Sequence, residues 1–225
     1  MKPYIISHMM SSIDGRIDCA MTEQIDSSDS YYEALDKLNC QSQLMGRVTM
    51  QIHYADSEPF VAKDKTPIGR QDEFMALKAE GYTIAIDTMG KLRWTSFCYD
   101  GRPLLVITSE NCPKEYLDTL TAQKISWIAV GKEQIDLVHA MEILHDKFGV
   151  KRLAVVGGGH INGAFLQAGL LNEVSVMIGA GIDGRKGMTA VFDGIEDANR
   201  PATLLKLESV EQVNEGTVWL RYIFK

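Results

Sequence analysis

Apolar positions fall along this chain in short runs divided by polar, glycine-bearing stretches, and the spacing within each run predicts the elements. Residues 4–10 form a compact apolar run that begins after Pro3 and stops at Ser11-Ser12-Ile13-Asp14-Gly15, as a buried central strand ending in a loop does. Ser30 and Glu33 stand in capping-box spacing ahead of Ala34, Leu35 and Leu38 and predict the first helix, after which 42–45 reads as a strand. The stretch 55–69, with Pro59 and Pro67, is polar and irregular and reads as a long surface loop. Regular structure resumes with strands at 83–86 and 104–107, a helix opening at Pro113, a strand at 125–130 and a helix over 135–148. Residues 153–156 form an apolar strand running into Gly157-Gly158-Gly159. A helix over 162–168 follows, closed by Gly169, and then a strand at 174–178. Two strand-like runs, 203–210 and 218–224, are joined through Asn214-Glu215-Gly216, a hairpin signal.

Strand and helix alternate through the middle of the chain, which predicts a mixed α/β sheet, parallel there and antiparallel at its C-terminal edge. No repeat, low-complexity tract or linker divides the sequence, so 1–225 is expected to be one domain. Composition fits that picture: of 225 residues, 45% are hydrophobic and 24% charged, as in an ordinary globular protein with a substantial core. The net charge of −7 argues against nucleic acid as a partner, because a phosphate backbone demands a basic face. A small anionic ligand needs only a local cluster of donors and stays open. Cys19, Cys40, Cys98 and Cys112 form no CxxC pair and the histidines no ligand spacing, so no metal site or disulfide framework is expected. The apolar run at the N-terminus is broken by Ser7 and His8 and lacks a cleavage site. No run approaches the roughly 18 apolar residues of a membrane span, and a cytoplasmic protein is expected.

Four segments carry candidate chemistry. The first is LAVVGGGHINGAF, a buried strand followed by glycines and a short helix, where backbone N–H groups and a helix N-terminus suit a pyrophosphate. The competing reading is a tight strand-to-helix turn. A standard GxGxxG fingerprint is absent, since Asn162 stands where the third glycine belongs, and the motif comes late for a Rossmann domain. The second is Met45-Gly46-Arg47-Val48-Thr49, where Arg47 offers a planar cationic fork for phosphate and Gly46 and Thr49 flank it. Alternatively, Arg47 is an ordinary surface arginine. The third is Ser11-Ser12-Ile13-Asp14-Gly15, at the strand end where open α/β sheets bind ligands, where Ser12 could position the ligand. Asp14 there can accept hydrogen bonds from a sugar or base, although Asp-Gly is also a common turn. The fourth is Thr108-Ser109-Glu110, whose hydroxyls suit an adenosine ribose or its phosphate, or else prepare the helix at Pro113.

Taken in order, PYIISHMMSSIDGRI, LMGRVT and VKRLAVVGGGHINGAFLQAGLLNEVSVMI resemble the reductase domain of riboflavin-biosynthesis enzymes, the RibD C-terminal domain family of the dihydrofolate-reductase-like superfamily. The resemblance covers nearly the whole chain. It implies a dihydrofolate-reductase-like three-layer α/β fold, with a mixed, mostly parallel central sheet, an antiparallel C-terminal hairpin and helices on both faces. It further implies NADPH as cofactor, held at Gly157, Gly158, Gly159, Asn162 and Gly163, with Gly46, Arg47 and Thr49 facing it, and the hydroxyls of Thr108 and Ser109 are expected on the same cofactor side from their own position. Arg47 is the candidate for the 2′-phosphate. His8, Ser12 and Asp14 fall on the substrate side, with Asp14 the candidate catalytic residue. The implied reaction is hydride transfer to C1′ of a ribosylaminopyrimidine 5′-phosphate, in a homodimer. Two positions depart from the usual family pattern: Val156 stands where many members carry an acidic residue, and His8 where many carry Lys or Asn. A superfamily reductase acting on another carbonyl, imine or heteroaromatic compound, or a non-catalytic nucleotide-binding module, are the alternatives.

Overall fold

The computed structural model describes residues 1–26 and 29–225. In chain order the first part contains β1 (Tyr4–Ser11), α1 (Cys19–Ile25), α2 (Ser30–Lys37), β2 (Ser42–Gly46) and α3 (Arg47–His53). The middle contains β3 (Asp72–Phe74), β4 (Thr83–Ile86), β5 (Cys98–Tyr99), β6 (Arg102–Thr108), α4 (Lys114–Ala122), β7 (Ser126–Ala129) and α5 (Leu137–Asp146). Last come β8 (Arg152–Val155), α6 (Gly159–Gln167), β9 (Glu173–Ile178), β10 (Leu205–Gln212) and β11 (Val218–Phe224). The residues group into two compact units, one of 1–3 and 41–153, the other of 4–40 and 154–225, and β8 carries the chain from the first into the second.

In the first unit β2, β4, β6 and β7 are successive parallel neighbours, and β3 pairs antiparallel with β7, as β5 does with β6. All four residues of β4 and of β7 are buried, as are Leu104 to Thr108 of β6. A parallel strand covered on both faces reads as a continuous apolar run, which is why these strands are legible in the sequence. Tyr116, Leu117 and Leu120 of α4 and Ala140, Met141, Ile143 and Leu144 of α5 are the buried helix faces. α5 is shorter than expected, because Asp136 caps it by accepting from the His139 N–H at 3.0 Å. Residues 55–69 form the expected irregular loop, laced by Asp56 N–H to the Arg93 carbonyl, Phe60 N–H to Lys91 and Gly69 N–H to Glu110.

In the second unit β1 and β9 are parallel, and β11 lies antiparallel between β9 and β10. The C-terminal hairpin is present: Asn214 Oδ1 accepts from the Gly216 and Thr217 N–H groups and fixes its turn. Ala34, Leu35 and Leu38 pack on Ile6, Met10, Ala154, Met177 and Trp219. The expected capping box at Ser30 is not what starts this helix. Asp29 is the cap residue, and Ser30 is the first helical residue, its hydroxyl donating to Asp26 at 2.7 Å. The helix also is the second in the chain, since α1 precedes it, capped by Asp18. α6 begins at Gly159 and not at 162, inside the glycine run.

Candidate functional site

In the first unit β2 and β4 are in register with Gly46 opposite Ile86, and Arg47 and Asp87 follow directly on that pair. Arg47 opens α3 and is exposed, and among the described residues its guanidinium has no hydrogen bond or ion pair. Gly46 is the cap residue of α3 in ordinary extended backbone, and Thr49 is half-buried one turn on. Asp87 was not anticipated from the sequence. It is fully buried, and its Oδ2 accepts from the Lys91 and Leu92 N–H groups at 2.7 Å each and from the Tyr116 hydroxyl at 3.1 Å. Among the described residues its Oδ1 has no partner. Burial pushes this carboxyl above the usual carboxylate range, against the pull of these hydrogen bonds and of the Arg47 charge.

Thr108 and Ser109 lie at the tip of β6, as expected, but both are fully buried. Each hydroxyl donates to the Thr88 carbonyl at 2.9 Å, so the pair braces the turn that begins at Asp87.

In the second unit the turn after β1 is closed by its own side chains. The Ser12 hydroxyl donates to Asp14 Oδ1 at 2.6 Å and accepts from the Arg16 N–H at 3.1 Å. Asp14 also accepts from the Asp183 N–H at 2.9 Å and the Gly184 N–H at 3.0 Å. The Ser12 hydroxyl and these two amides hold its carboxyl far below the usual carboxylate range. Asp14 is therefore ionised near neutral pH, exposed, and an acceptor only. His8 is placed differently from a ligand-binding residue. It has no exposed surface, stacks on Tyr31 at 4.6 Å, and engages Ser175 Oγ through Nδ1 at 2.9 Å and the Tyr31 carbonyl through Nε2 at 3.2 Å. Burial lowers its pKa from 6.5 to about 4.

At the end of β8, Gly157 adopts a φ of 119°, which an L side chain rarely tolerates, and Gly158 is the cap residue of α6 with no side-chain cap bond. The first turn of α6 lies against the chain's own segment 189–193. A Cβ on Gly159 would sit 2.1 Å from the Ala190 carbonyl oxygen, and one on Gly163 would sit 2.0 Å from that of Asp193. Asn162 Nδ2 donates to the Val191 carbonyl at 2.8 Å, and its Oδ1 is buried without a partner among the described residues. Gly159, Asn162 and Gly163 thus make close packing contacts with this segment, while Gly157 and Gly158 form the turn before the helix.

The model of the RibD C-terminal domain family matches residues 3–219. The chain belongs to this family. Among curated relatives of the family member described here is the 2,5-diamino-6-ribosylamino-4(3H)-pyrimidinone 5′-phosphate reductase of Archaeoglobus fulgidus, 24% identical over 219 residues and covering 96% of both chains. The enzyme of that name from Methanothermobacter thermautotrophicus is 24% identical over 217 residues, covering 92% of this chain and 91% of the relative. Among solved structures, a pyrimidine reductase-like protein of Corynebacterium diphtheriae aligns with a TM-score of 0.73 at 18% identity, over 99% of this chain and 92% of the other. The riboflavin biosynthesis reductase Rib7 of Saccharomyces cerevisiae aligns with a TM-score of 0.61 at 17% identity, over 100% and 90%. The mixed α/β fold of this RibD-type chain is therefore that of riboflavin-pathway reductases. No helix among the described residues is long and apolar enough to cross a membrane, and no cluster of His, Cys, Asp and Glu among them suits a metal ion.

Proposed function

We propose that this RibD-type protein is an NADPH-dependent reductase that converts a ribosylaminopyrimidine 5′-phosphate to its ribitylamino product. The observation that carries the reading is the family match over 3–219, with relatives of nearly equal length named as pyrimidinone phosphate reductases. NADPH, when bound, supplies the hydride. The chain's own residues bind and orient. Arg47, exposed and with no hydrogen bond or ion pair among the described residues, is the group for the 2′-phosphate, flanked by Gly46 and Thr49. Gly157 and Gly158, at a strand end before a helix, are the backbone candidates for the pyrophosphate. Ser12 and Asp14 stand on the substrate side. Asp14 Oδ2 accepts from the Gly184 N–H and, as an exposed carboxylate oxygen, retains capacity for a sugar hydroxyl. Being ionised, Asp14 is not the source of the proton that balances the hydride. We read both units as one functional domain, since each is assembled from two separated stretches. The enzyme is placed in the cytoplasm, as a homodimer acting on a small molecule.

The test is thermal unfolding with NADPH, NADH or neither, followed by loss of NADPH absorbance on adding the ribosylaminopyrimidine phosphate. A ligand that binds only the native state raises its stability as ln(1 + [L]/Kd), so a shift with NADPH and little with NADH is expected. Binding without turnover of the pyrimidine would move the reading to a reductase of another carbonyl, imine or heteroaromatic compound. Folded protein that shifts with neither nucleotide would remove the cofactor assignment.

A further inference from the structure

The segment after β9 runs from the Ser12–Arg16 turn to the first turn of α6 and is bonded at both ends. At the turn, the Ile13 N–H donates to the Gly181 carbonyl at 2.8 Å, and Asp14 accepts from the Asp183 and Gly184 N–H groups. Arg16 Nη1 donates to the Met188 carbonyl at 2.6 Å, the Ile17 N–H to Thr189 at 3.2 Å, and the Val191 N–H to the Gly15 carbonyl at 3.1 Å. At the helix, Asn162 Nδ2 holds the Val191 carbonyl, and the Asp193 N–H donates to the Gly159 carbonyl at 3.0 Å. Val191 is therefore gripped from both sides, its N–H by the turn that carries Asp14 and its carbonyl by the helix that follows the glycines.

We infer that Asn162 and Arg16 are positioning residues which, through residues 188–193, set the place of Asp14 against the Gly157–Gly158 turn, so that occupancy of either is felt at the other. The inference rests on the reading of that turn and of Asp14 as ligand contacts. Two observations separate it from simple packing. Glycine stands at both points where α6 meets the segment, with virtual Cβ atoms 2.0 and 2.1 Å from backbone oxygens, so the spacing has no slack. Asn162 is fully buried with an unpaired Oδ1, a cost that an apolar side chain in the same place would avoid, and what the amide provides in return is its grip on Val191. Arg16 makes the matching contact at the other end, with one guanidinium nitrogen on a backbone carbonyl.

The experiment is a double-mutant cycle in the unliganded protein between Asn162→Ala and Asp14→Asn, read as unfolding constants from urea titrations. Sites without shared partners multiply to within about twofold; coupling through the segment predicts that the double variant departs from the product by about fivefold or more. Hydrogen exchange gives the liganded arm. NADPH is expected to slow the Asp183 and Gly184 amides in the native sequence and to leave them unchanged in Arg16→Met, a variant outside the residues assigned to the cofactor that still shows the NADPH thermal shift. Independent unfolding constants, or NADPH protection confined to 157–163, would overturn the inference. Loss of the NADPH shift in the native sequence would fail the cofactor reading instead, and the cycle alone would then decide the coupling. If N162A does not fold, Arg16→Met replaces it in the same cycle with Asp14→Asn.

Discussion

His8 is a buried base whose neighbours are satisfied by one protonation state. With the proton on Nε2, the ring donates to the Tyr31 carbonyl and Nδ1 accepts from the Ser175 hydroxyl, whose oxygen in turn accepts from Trp219 Nε1–H at 2.7 Å. A second proton would leave Nδ1–H facing a hydroxyl inside the core. The pKa falls from 6.5 to about 4 on folding, so the unfolded chain binds the proton more readily through that window. Stability is then full above pH 6.5 and declines as the pH falls toward 4, by roughly 2 kcal/mol between about pH 7 and pH 5. Urea denaturation at the two pH values checks this, and His8→Gln should flatten the difference even though it lowers stability at both. Arg47 obeys a different logic, because its guanidinium is exposed and, among the described residues, makes no hydrogen bond or ion pair. Arg47→Ala should weaken NADPH roughly tenfold or more and NADH far less, the scale of a charge-assisted phosphate contact. Isothermal titration with both nucleotides decides, and equal losses would remove the 2′-phosphate assignment.

Elements were legible where burial imposes a pattern. β4 and β7 are buried along their length and β6 from Leu104 to Thr108, so they appear in the sequence as apolar runs, and the Asn214 turn announces its hairpin. The elements that escaped sequence reading offer little pattern: α1 buries only Met21, β5 has two residues, and β3 is the half-buried Asp-Glu-Phe. The glycine run was legible as a feature and ambiguous in meaning. Gly157 answers to backbone conformation, while Gly159 and Gly163 answer to a segment thirty residues on in the chain, held largely by main-chain bonds that leave no side-chain signature. That distinction is testable within α6. Gly163→Ala places a methyl group against the Asp193 carbonyl, a backbone atom that cannot rotate away, and should cost about 1–3 kcal/mol despite alanine's better helix propensity. Chemical denaturation measures the loss; a neutral or stabilising result would mean that the segment is free to shift.

For the whole molecule, the sheet of the second unit has two unlike faces. Trp219, opposite Met177, lies on the face that packs against α2. The other face carries Val218, Leu220 and Tyr222 of β11, opposite Ile178, Val176 and Val174 of β9. Leu207 and Val210 of β10 join them, because the register shift between Leu207 and Ser209 sets Leu207 opposite Tyr222 and Val210 opposite Leu220. Val174 on this face is buried, but Leu207 is 49% exposed, Val210 57% and Val218 36%, an apolar patch on the hairpin that a monomer leaves in water. The homodimer proposed above would cover it, and the net charge of −7 makes any self-association depend on such uncharged surface. Val210→Lys, on a strand position that is 57% exposed, should leave the fold and its thermal unfolding in dilute solution near native while shifting the species seen by light scattering from twice the chain mass to one. Should the native protein scatter as a single chain at micromolar concentration, the homodimer is wrong and this face has another use.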